Sequence, residues 1–298
     1  MTNWYQMRER GAGKYRMEFL WVIYRVFGLR VLKFVVRIIA WVVAIFAPGA
    51  RNASRRYRAV LNEYETNHNL PITKMSAFGH ICTFATSVVD KMSAICDKKT
   101  PLKFAVADTA GWHKLQELLA AQRGAFFICS HMGNIETWGA MPSGADVHMH
   151  AFMDVAINRQ FRDFIARHAR YNNTTIHPVE NIGMAAAGDM YDALRRGELV
   201  MMAGDRVSAT APDKVINVKI LDKKCKLPMG VFRFARACDA PVFAVAAVNI
   251  GGATYKLYVQ ELTTDKVQTM ADEYAEFLER MILSHPKQWF NFFEFFQK

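Results

Sequence analysis

The chain has 298 residues, a hydrophobic content of 52% and a formal net charge of +11 at pH 7. This length and apolar content fit a globular protein with a full core and exclude an intrinsically disordered chain. The five cysteines are odd in number, scattered and without a CxxC or Cys/His metal spacing, so reduced thiols in a cytoplasmic compartment are the simplest interpretation.

The N-terminal segment is both basic and apolar. Residues 1–60 hold twelve Lys or Arg residues against two acidic residues, and they carry +10 of the net charge of +11. The apolar stretch 19–46 is interrupted by charges, and the longest uncharged apolar run, residues 38–47, has ten residues, about half of what a spanning helix needs. On a helix, Arg30, Lys33 and Arg37 fall on one narrow stripe. The pattern therefore predicts a helix in the membrane interface, with these basic side chains at anionic headgroups.

Three other interpretations of this segment are weaker. A buried core helix with solvated arginines stays open as an alternative. Nucleic acid is disfavoured as a partner because bulky aliphatic residues interleave the basic ones and no nucleic-acid motif accompanies them. A cleaved signal peptide is disfavoured because charges interrupt the apolar stretch. We therefore predict a membrane-interface helix in residues 1–50 and a single α/β domain in residues 51–298, with an anionic membrane surface as a partner.

The remaining elements alternate along the chain. Helices are predicted at 53–67, 71–96 and 111–121, with a short strand at 103–106. Further strands are predicted at Ala125–Cys129, Val147–Met153, Thr174–His177, Leu199–Ala203, Val215–Leu221, Pro241–Val248 and Tyr255–Glu261. Further helices are predicted at Asn134–Met141, Asn158–Ala169, Ile182–Arg195, Gly230–Ala237 and Val267–Ser284. This alternation predicts the α/β class, with a mixed, largely parallel sheet flanked by helices.

The main candidate motif is Ser130-His131-Met132-Gly133-Asn134-Ile135-Glu136, directly after the buried run 125–129. A strand end that opens into a helix is where open α/β sheets place their chemistry. Imidazole accepts a proton near neutral pH, and a carboxylate can fix its tautomer. Glu136 can do this if it lies in the first turn of the following helix, where free backbone N–H groups would also face an oxyanion or a phosphate. The alternative is a hydrogen-bonded histidine at a strand end beside an unrelated surface glutamate.

Two further motifs have a functional and a structural interpretation each. Gly204-Asp205-Arg206 follows the predicted strand 199–203, where arginine can bind an anionic substrate or form a structural salt bridge. Pro228-Met229-Gly230 precedes a helix, where it can hold a loop near a substrate or simply start the helix.

Several classes of chemistry have no support in the sequence. His148 and His150 share one face of a strand, a spacing that can chelate a metal, but no third ligand with motif spacing is evident, so we expect no metal and no cofactor. The chain contains no G-x-S-x-G, G-x-G-x-x-G or Walker A sequence, which disfavours serine hydrolase, dehydrogenase and P-loop chemistry. The aromatic tail 289–296 is too apolar for a solvated terminus and is predicted to pack on the domain.

The motifs, taken in order, resemble those of a known superfamily. They are Trp4…Arg8-Glu9-Arg10-Gly11, the 130–136 block, Gly204-Asp205-Arg206, Pro228-Met229-Gly230 and Trp289-Phe290-Asn291-Phe292-Phe293. Together they resemble the lysophospholipid acyltransferase superfamily, and within it the bacterial lipid A late acyltransferases. The resemblance implies transfer of a fatty acyl group from acyl carrier protein or coenzyme A to a lipid hydroxyl or amine, at the cytoplasmic face of the bacterial inner membrane.

The resemblance also implies roles for individual residues. His131 is the general base, Glu136 orients it, and the acceptor attacks the thioester directly with no acyl-enzyme. The implied substrate-binding residues are Asn134, Arg159, Asp205, Arg206 and Gly230. The segment 153–158 lacks the arginine expected where lipid A enzymes often show a Tyr-Arg-Pro stretch, so the acceptor is either lipid A-like or another specialised bacterial lipid. The alternatives are an inactive relative that binds lipid or acyl carrier protein, and a thioesterase-like hydrolase.

Overall fold

A computed structural model describes most of the chain: residues 14–140, 147–153, 159–170, 173–179, 182–207 and 211–296. The motif at Trp4 and residues 8–11, and the segment 154–158 with the predicted helix start at Asn158, lie outside the described residues.

Among the described residues, seven strands form one sheet. They are β1 Lys103–Val106, β2 Ala125–Cys129, β3 Met149–Met153, β4 Thr174–Pro178, β5 Leu199–Ala203, β8 Val242–Gly251 and β9 Thr254–Leu262. Their order across the sheet is β1-β9-β8-β2-β5-β3-β4, and every neighbouring pair is parallel except the antiparallel pair β8 and β9. The predicted α/β class with a mixed, largely parallel sheet is confirmed.

Helices flank this sheet and form an N-terminal layer. They are α1 Lys14–Phe46, α2 Pro48–Asn67, α3 Ala77–Cys96, α4 Ala110–Ala120, α5 Arg159–His168, α6 Met184–Arg195, α7 Met229–Ala237 and α8 Val267–Ser284. The helix predicted at 53–67 begins earlier, at Pro48, and the helix predicted at 71–96 begins later, at Ala77. Two further predictions differ from the structure in kind. The helix predicted at 134–141 is a short 3₁₀ helix, Ile135–Ala140. A second hairpin strand, β7 Lys223–Pro228, was not predicted, and it pairs with β6 Val215–Ile220 outside the main sheet.

The core lies on both faces of the central strand β2. All five of its residues are buried. Phe126 and Ile128 pack on the face covered by α7 and α8, whereas Phe127 and Cys129 pack on the other face with α4. A parallel strand that is covered on both faces reads as a continuous apolar run, which is why the sequence located β2 correctly. This buried strand provides a rigid base for the residues that follow it.

The N-terminal helix α1 is kinked at Gly28, whose backbone leaves the helical region with φ of 78°. One side of α1 packs against α3, burying Leu32 and Val36 among other apolar side chains. Lys33 faces this same protein side, because its Nζ lies 2.6 Å from Oδ1 of Asp90 in α3. The prediction that Lys33 shares a headgroup-facing stripe with Arg30 and Arg37 is therefore wrong for Lys33, while both arginines are exposed.

The other side of α1 exposes large apolar side chains. They include Phe19, Val22, Val26, Phe27, Val31, Phe34, Ile38, Trp41, Val42 and Phe46. No single helix in the described ranges has the length and hydropathy of a membrane span, although Met17–Phe46 and Pro48–Asn67, bent by 94° to each other, meet such a criterion as a pair. The division at residue 50 between a membrane-interface helix and a catalytic domain stays a prediction.

Candidate active site

The site is built where β2 and β5 end. These neighbouring strands are parallel, and their last residues, Cys129 and Ala203, are register partners. Side chains that follow the two strands therefore meet at the same edge of the sheet. His131 and Asp205 come from these two positions. The imidazole Nδ1 of His131 lies 2.8 Å from Oδ1 of Asp205, across 74 positions of sequence.

Asp205 holds His131 by more than this contact. Its Oδ2 accepts the backbone N–H of His131 at 2.9 Å and the indole N–H of Trp289 at 3.2 Å. The side chain is only 2% exposed, and burial raises the pKa of the Asp205 carboxyl. The charge of His131, its hydrogen bonds and the charge of Arg206 outweigh burial, so the pKa of Asp205 lies below its ordinary value. Asp205 is therefore a carboxylate at neutral pH.

This contact fixes the tautomer of His131. A carboxylate can only accept hydrogen bonds, so Nδ1 of His131 must carry the proton when the ring is neutral. Nε2 then presents its lone pair. The His131 side chain is 34% exposed, and Nε2 has no hydrogen-bond partner among the residues that the structure describes. An imidazole held in this way can take a proton from a hydroxyl or amine that reaches Nε2.

Glu136 does not contact His131 by a hydrogen bond. Its Oε1 lies 2.5 Å from Nζ of Lys91 in α3. Burial raises the pKa of Glu136, but the charge and hydrogen bond of Lys91, and to a smaller extent the charge of His131, bring the pKa below its ordinary value. The prediction that Glu136 orients His131 is therefore wrong: the 3₁₀ helix carries Glu136 toward α3, and Asp205 makes the orienting contact. Glu136 still contributes a negative charge near the imidazole.

The turn between His131 and Glu136 is closed by backbone contacts. Gly133 has φ of 66°, and a Cβ there would lie 2.0 Å from the carbonyl oxygen of Ala247. Its N–H donates to Gln288 O at 2.9 Å, and the N–H of Asn134 donates to Ala247 O at 2.7 Å. These two N–H groups are therefore not available to an oxyanion or a phosphate, and free donors in the helical turn after Asn134 stay a prediction.

Asn134 has a structural place in the turn. Its side chain is buried, and its Nδ2 donates to Ser87 O at 2.7 Å and to the Tyr255 hydroxyl at 3.4 Å. The prediction that Asn134 binds substrate is corrected, because these contacts tie the turn to α3 and β9 inside the protein.

The C-terminal tail completes the site. Trp289 and Phe290 are buried, which confirms the prediction that the aromatic tail packs on the domain. The backbone N–H of Phe290 donates to His131 O at 2.8 Å, so the tail holds the turn that carries His131. The role of Trp289 as a donor to Asp205 was not predicted. A buried indole N–H in an apolar tail needs an acceptor, and this requirement is the sequence signal that could have predicted a polar partner for Trp289.

The other predicted substrate-binding residues lie in three different situations. Arg206 is half-buried, donates to Phe290 O at 3.4 Å and places its guanidinium over the ring of Phe293 at 5.7 Å. Arg159 begins α5, but its side chain lies outside the described part of the chain. Gly230 is exposed near the start of α7, where a Cβ would meet no atom within 4 Å. Substrate binding by Arg159, Arg206 and Gly230 stays a prediction.

Metal ligands are grouped elsewhere. Within the described residues, one set of three side chains could hold a metal ion: His148, His150 and Glu198, whose ligand atoms lie within 4.8 Å of one another. The third ligand that was missing from the sequence pattern comes from the start of the neighbouring strand β5. This set shares no residue with the His131 site.

Comparison with known proteins gives one result. A sequence model of the family described as bacterial lipid A biosynthesis acyltransferase matches residues 9–298. The match spans the whole described site, from α3 through the His131 turn and Asp205 to the aromatic tail. No curated protein matches the chain. The family match confirms the resemblance that was drawn from the motifs.

Proposed function

The chain belongs to the bacterial lipid A biosynthesis acyltransferase family, and on this basis we propose that it moves a fatty acyl group from a thioester to a hydroxyl or amine of a lipid acceptor. The donor is acyl carrier protein or coenzyme A carrying the acyl group. The observation that carries the proposal is the 2.8 Å contact between Nδ1 of His131 and buried Asp205, which leaves Nε2 with an available lone pair.

The proposed reaction has one base and no covalent enzyme intermediate. Nε2 of His131 takes the proton from the acceptor oxygen or nitrogen as that atom attacks the thioester carbonyl carbon. A C–O or C–N bond forms, the C–S bond breaks, and the imidazolium returns the proton to the departing thiolate. Asp205 stabilises the imidazolium during this step, as the acid does in other carboxylate–histidine pairs. General-base catalysis of this type contributes about 10²–10⁴-fold to a rate.

The proposal assigns supporting roles to the neighbours of His131. The pair of Glu136 and Lys91 anchors the 3₁₀ helix to α3, and the Glu136 carboxylate of this pair lies near enough to the imidazole to interact with its charge. Arg206 lies beside Asp205, where its guanidinium lowers the pKa of that carboxyl and can meet an anionic group of the substrate. Arg159 and Gly230 are proposed to bind substrate at the rim.

The proposed site of action is the cytoplasmic face of the bacterial inner membrane. Support comes from the exposed apolar side of α1 and from exposed Arg30 and Arg37 on the same helix. Apolar side chains can enter the lipid boundary while basic ones remain at anionic headgroups. The basic N-terminal region also suits an acidic carrier protein. The acceptor is either a lipid A-like molecule or another specialised bacterial lipid.

A reconstituted transfer assay tests the proposal. Full-length protein is incubated in vesicles with acyl carrier protein or coenzyme A that carries a labelled acyl group, and with a bacterial lipid extract. Released thiol, labelled lipid and free fatty acid are measured separately. We expect labelled lipid with the wild type, and a loss of about 10²-fold or more in His131→Ala. His113→Ala is the matched control, because its exposed imidazole on α4 pairs with exposed Asp108, which precedes that helix, and not with any group of the His131 site.

The assay also separates the alternatives. Labelled fatty acid without labelled lipid would indicate a thioesterase-like hydrolase. Donor binding without any thiol release would indicate an inactive relative that binds lipid or acyl carrier protein. Full transfer by a folded His131→Ala variant would contradict the proposed base. Mass spectrometry of lipids from cells that lack the protein then identifies the acceptor and the acyl length together.

A further inference from the structure

A cluster of three imidazoles and one carboxylate lies at the other end of the sheet from His131. His148 and His150 come from the start of β3, His177 from β4 and Glu198 from the residue before β5. Asp205 follows the far end of β5, about 20 Å from Glu198 at 3.3 Å per strand residue. The cluster is therefore separate from the acyl-transfer site and has no part in the chemistry proposed above.

The strand pairing explains why these side chains meet. His148 and His150 are two residues apart, so they project from the same face of β3. Their rings lie 4.9 Å apart, centre to centre. The N–H of Leu199 bonds to His148 O at 2.8 Å, which brings neighbouring Glu198 beside them. Nε2 of His150 lies 2.6 Å from Oε2 of Glu198.

We propose that His148, His150 and Glu198 bind a divalent transition-metal ion of the zinc class. Their three ligand atoms lie within 4.8 Å of one another. Two imidazoles and one carboxylate form a ligand set that Zn²⁺ uses widely, and Co²⁺ and Ni²⁺ accept the same donors. With metal–ligand distances of about 2.0 Å, tetrahedral ligands lie about 3.3 Å apart, which small side-chain rotations reach from the observed spacing.

His177 acts as a positioning residue for this site. Its Nε2 lies 2.9 Å from Nδ1 of His150. A partner on one ring nitrogen directs the other nitrogen toward the metal, and such partners commonly raise metal affinity by about 10–100-fold. When the metal binds Nε2 of a neutral His150, the one ring proton lies on Nδ1, which donates to Nε2 of His177, and Glu198 binds the ion as a carboxylate. Arg196, which bonds to Oε1 of Glu198 at 2.7 Å, holds the carboxylate at this position.

The bound ion would join three strands at one edge of the sheet. β4 is the outermost strand, and it pairs with β3 alone. A metal held by residues from β3 and β5, with His177 of β4 in contact with a ligand, would connect all three. The role proposed for the ion is therefore structural.

Metal binding to tag-free full-length protein tests the proposal. The protein is stripped with a chelator, dialysed and titrated with Zn²⁺ or Co²⁺ by calorimetry, and Co²⁺ coordination is followed by visible absorption. We expect one ion per chain and the intense absorption of tetrahedral Co²⁺. His177→Gln, which removes the partner of a ligand, should weaken metal affinity about 10–100-fold. His150→Ala removes a ligand itself and should weaken metal affinity about 10²-fold or more.

Two further variants make the test decisive. His148→Ala removes a ligand whose ring bonds only to Thr175 at 3.0 Å, so it serves if His150→Ala fails to fold. His68→Ala removes another histidine that pairs with a carboxylate, Asp222, and should leave affinity unchanged. The proposal is overturned if the wild type binds no stoichiometric ion, or if folded His148→Ala binds as tightly as the wild type. Either result would show that these histidines and Glu198 form hydrogen bonds with one another but no metal site.

Discussion

The imidazoles of His131 and His80 differ in how many of their ring nitrogens are hydrogen-bonded inside the protein. His131 presents one nitrogen outward, whereas both nitrogens of His80 are occupied inside the protein. Nε2 of His80 lies 2.9 Å from Trp289 O, which can only accept, so this nitrogen carries the proton. Nδ1 then accepts from Ser54 Oγ at 3.0 Å. His80 thus holds the backbone of Trp289, the residue whose indole N–H donates to Asp205.

His80 makes stability depend on pH. Burial lowers its pKa to about 4, against an ordinary value near 6.5, and the bond to Trp289 O only partly opposes this. Between these two values the unfolded chain binds a proton that the folded chain does not. The free energy of unfolding should therefore fall by about 3 kcal/mol as the pH decreases from about 6.5 to about 4. Urea denaturation at several pH values measures it.

The control for this prediction is His80→Gln, which retains an N–H donor for Trp289 O. This variant should lose the pH dependence in that window, although its stability at pH 7 is lower. His113→Ala, which removes an exposed imidazole, should retain the wild-type dependence. An unchanged pH dependence in folded His80→Gln would show that other groups cause the effect.

Gly133 is the residue where the turn tolerates no side chain. Its φ is positive, and an added Cβ would lie 2.0 Å from Ala247 O. Gly133→Ala should lower the free energy of unfolding by about 3 kcal/mol or more. Gly188→Ala in α6 is the control, because a Cβ there meets nothing within 4 Å and should be neutral or slightly stabilising. Equal denaturation midpoints for Gly133→Ala and the wild type would contradict the described turn.

At the residue scale, the sequence located the histidine but not its partner. His131 follows a buried run, and that position could be predicted. Glu136 was preferred as the partner because it is near in sequence. Asp205 becomes the partner only because β2 and β5 are neighbours, and strand order is not encoded in the local pattern of either strand. The family resemblance implied substrate binding by Asn134, and its burying contacts with Ser87 and Tyr255 could not be predicted because they come from distant elements.

At the element scale, a buried chain of polar side chains connects α1 to the turn that carries His131. Lys33 of α1 pairs with Asp90 at 2.6 Å, Tyr255 donates to Asp90 at 2.9 Å, and Asn134 donates to Tyr255. Asp90 is 2% exposed and depends on these partners. Burial raises its pKa, and the charge of Lys33 opposes this shift.

Breaking the ion pair should therefore destabilise the protein. Lys33→Met leaves the Asp90 carboxylate buried without its cation and should cost about 3 kcal/mol in the free energy of unfolding. Adding Asp90→Asn should recover most of this loss, because the buried charge is removed. Arg56→Ala breaks the pair with Glu294, in which Arg56 is 62% exposed, and should cost at most about 1 kcal/mol. Equal losses in Lys33→Met and Arg56→Ala would count against the described network.

Elements with a strong local pattern could be predicted, and those without one could not. β2, β5 and α8 were predicted with their observed bounds, because apolar periodicity or continuous burial marks them. β7 was missed because three of its six residues are lysines, and its buried residues are Cys225, Leu227 and the terminal Pro228. The 3₁₀ helix was predicted as an α-helix, because the backbone bonds from Gly133 and Asn134 to distant carbonyls are not visible in sequence.

At the scale of the whole molecule, the exposed apolar side of α1 and its basic residues predict binding to anionic membranes. Phe27 and Phe34 are 63% and 64% exposed. Replacing both with Ser should lower the affinity for anionic vesicles at least tenfold, because each inserted Phe contributes about 1.5–3 kcal/mol. Replacing Arg30 and Arg37 with Gln should lower binding to anionic vesicles but not to neutral ones. Vesicle flotation measures both effects.

The control for membrane binding is Ile250→Ser. Its side chain is exposed and apolar, but it lies on β8 and is not part of α1. This variant should float with vesicles as the wild type does. If the Phe27 and Phe34 double variant also binds fully, the membrane contact is not made by α1.

The proposed acyl transfer depends most on the pair formed by His131 and Asp205. The most direct measurement is the rate of acyl transfer from a labelled thioester donor to lipid by Asp205→Asn, with Asp108→Asn, at an exposed carboxylate before α4, as the matched control. We expect Asp205→Asn to lose about 10²–10⁴-fold in kcat while it remains folded, because the amide no longer fixes the tautomer of His131 or stabilises the imidazolium. Wild-type kcat in folded Asp205→Asn would contradict the proposed catalytic pair of His131 and Asp205.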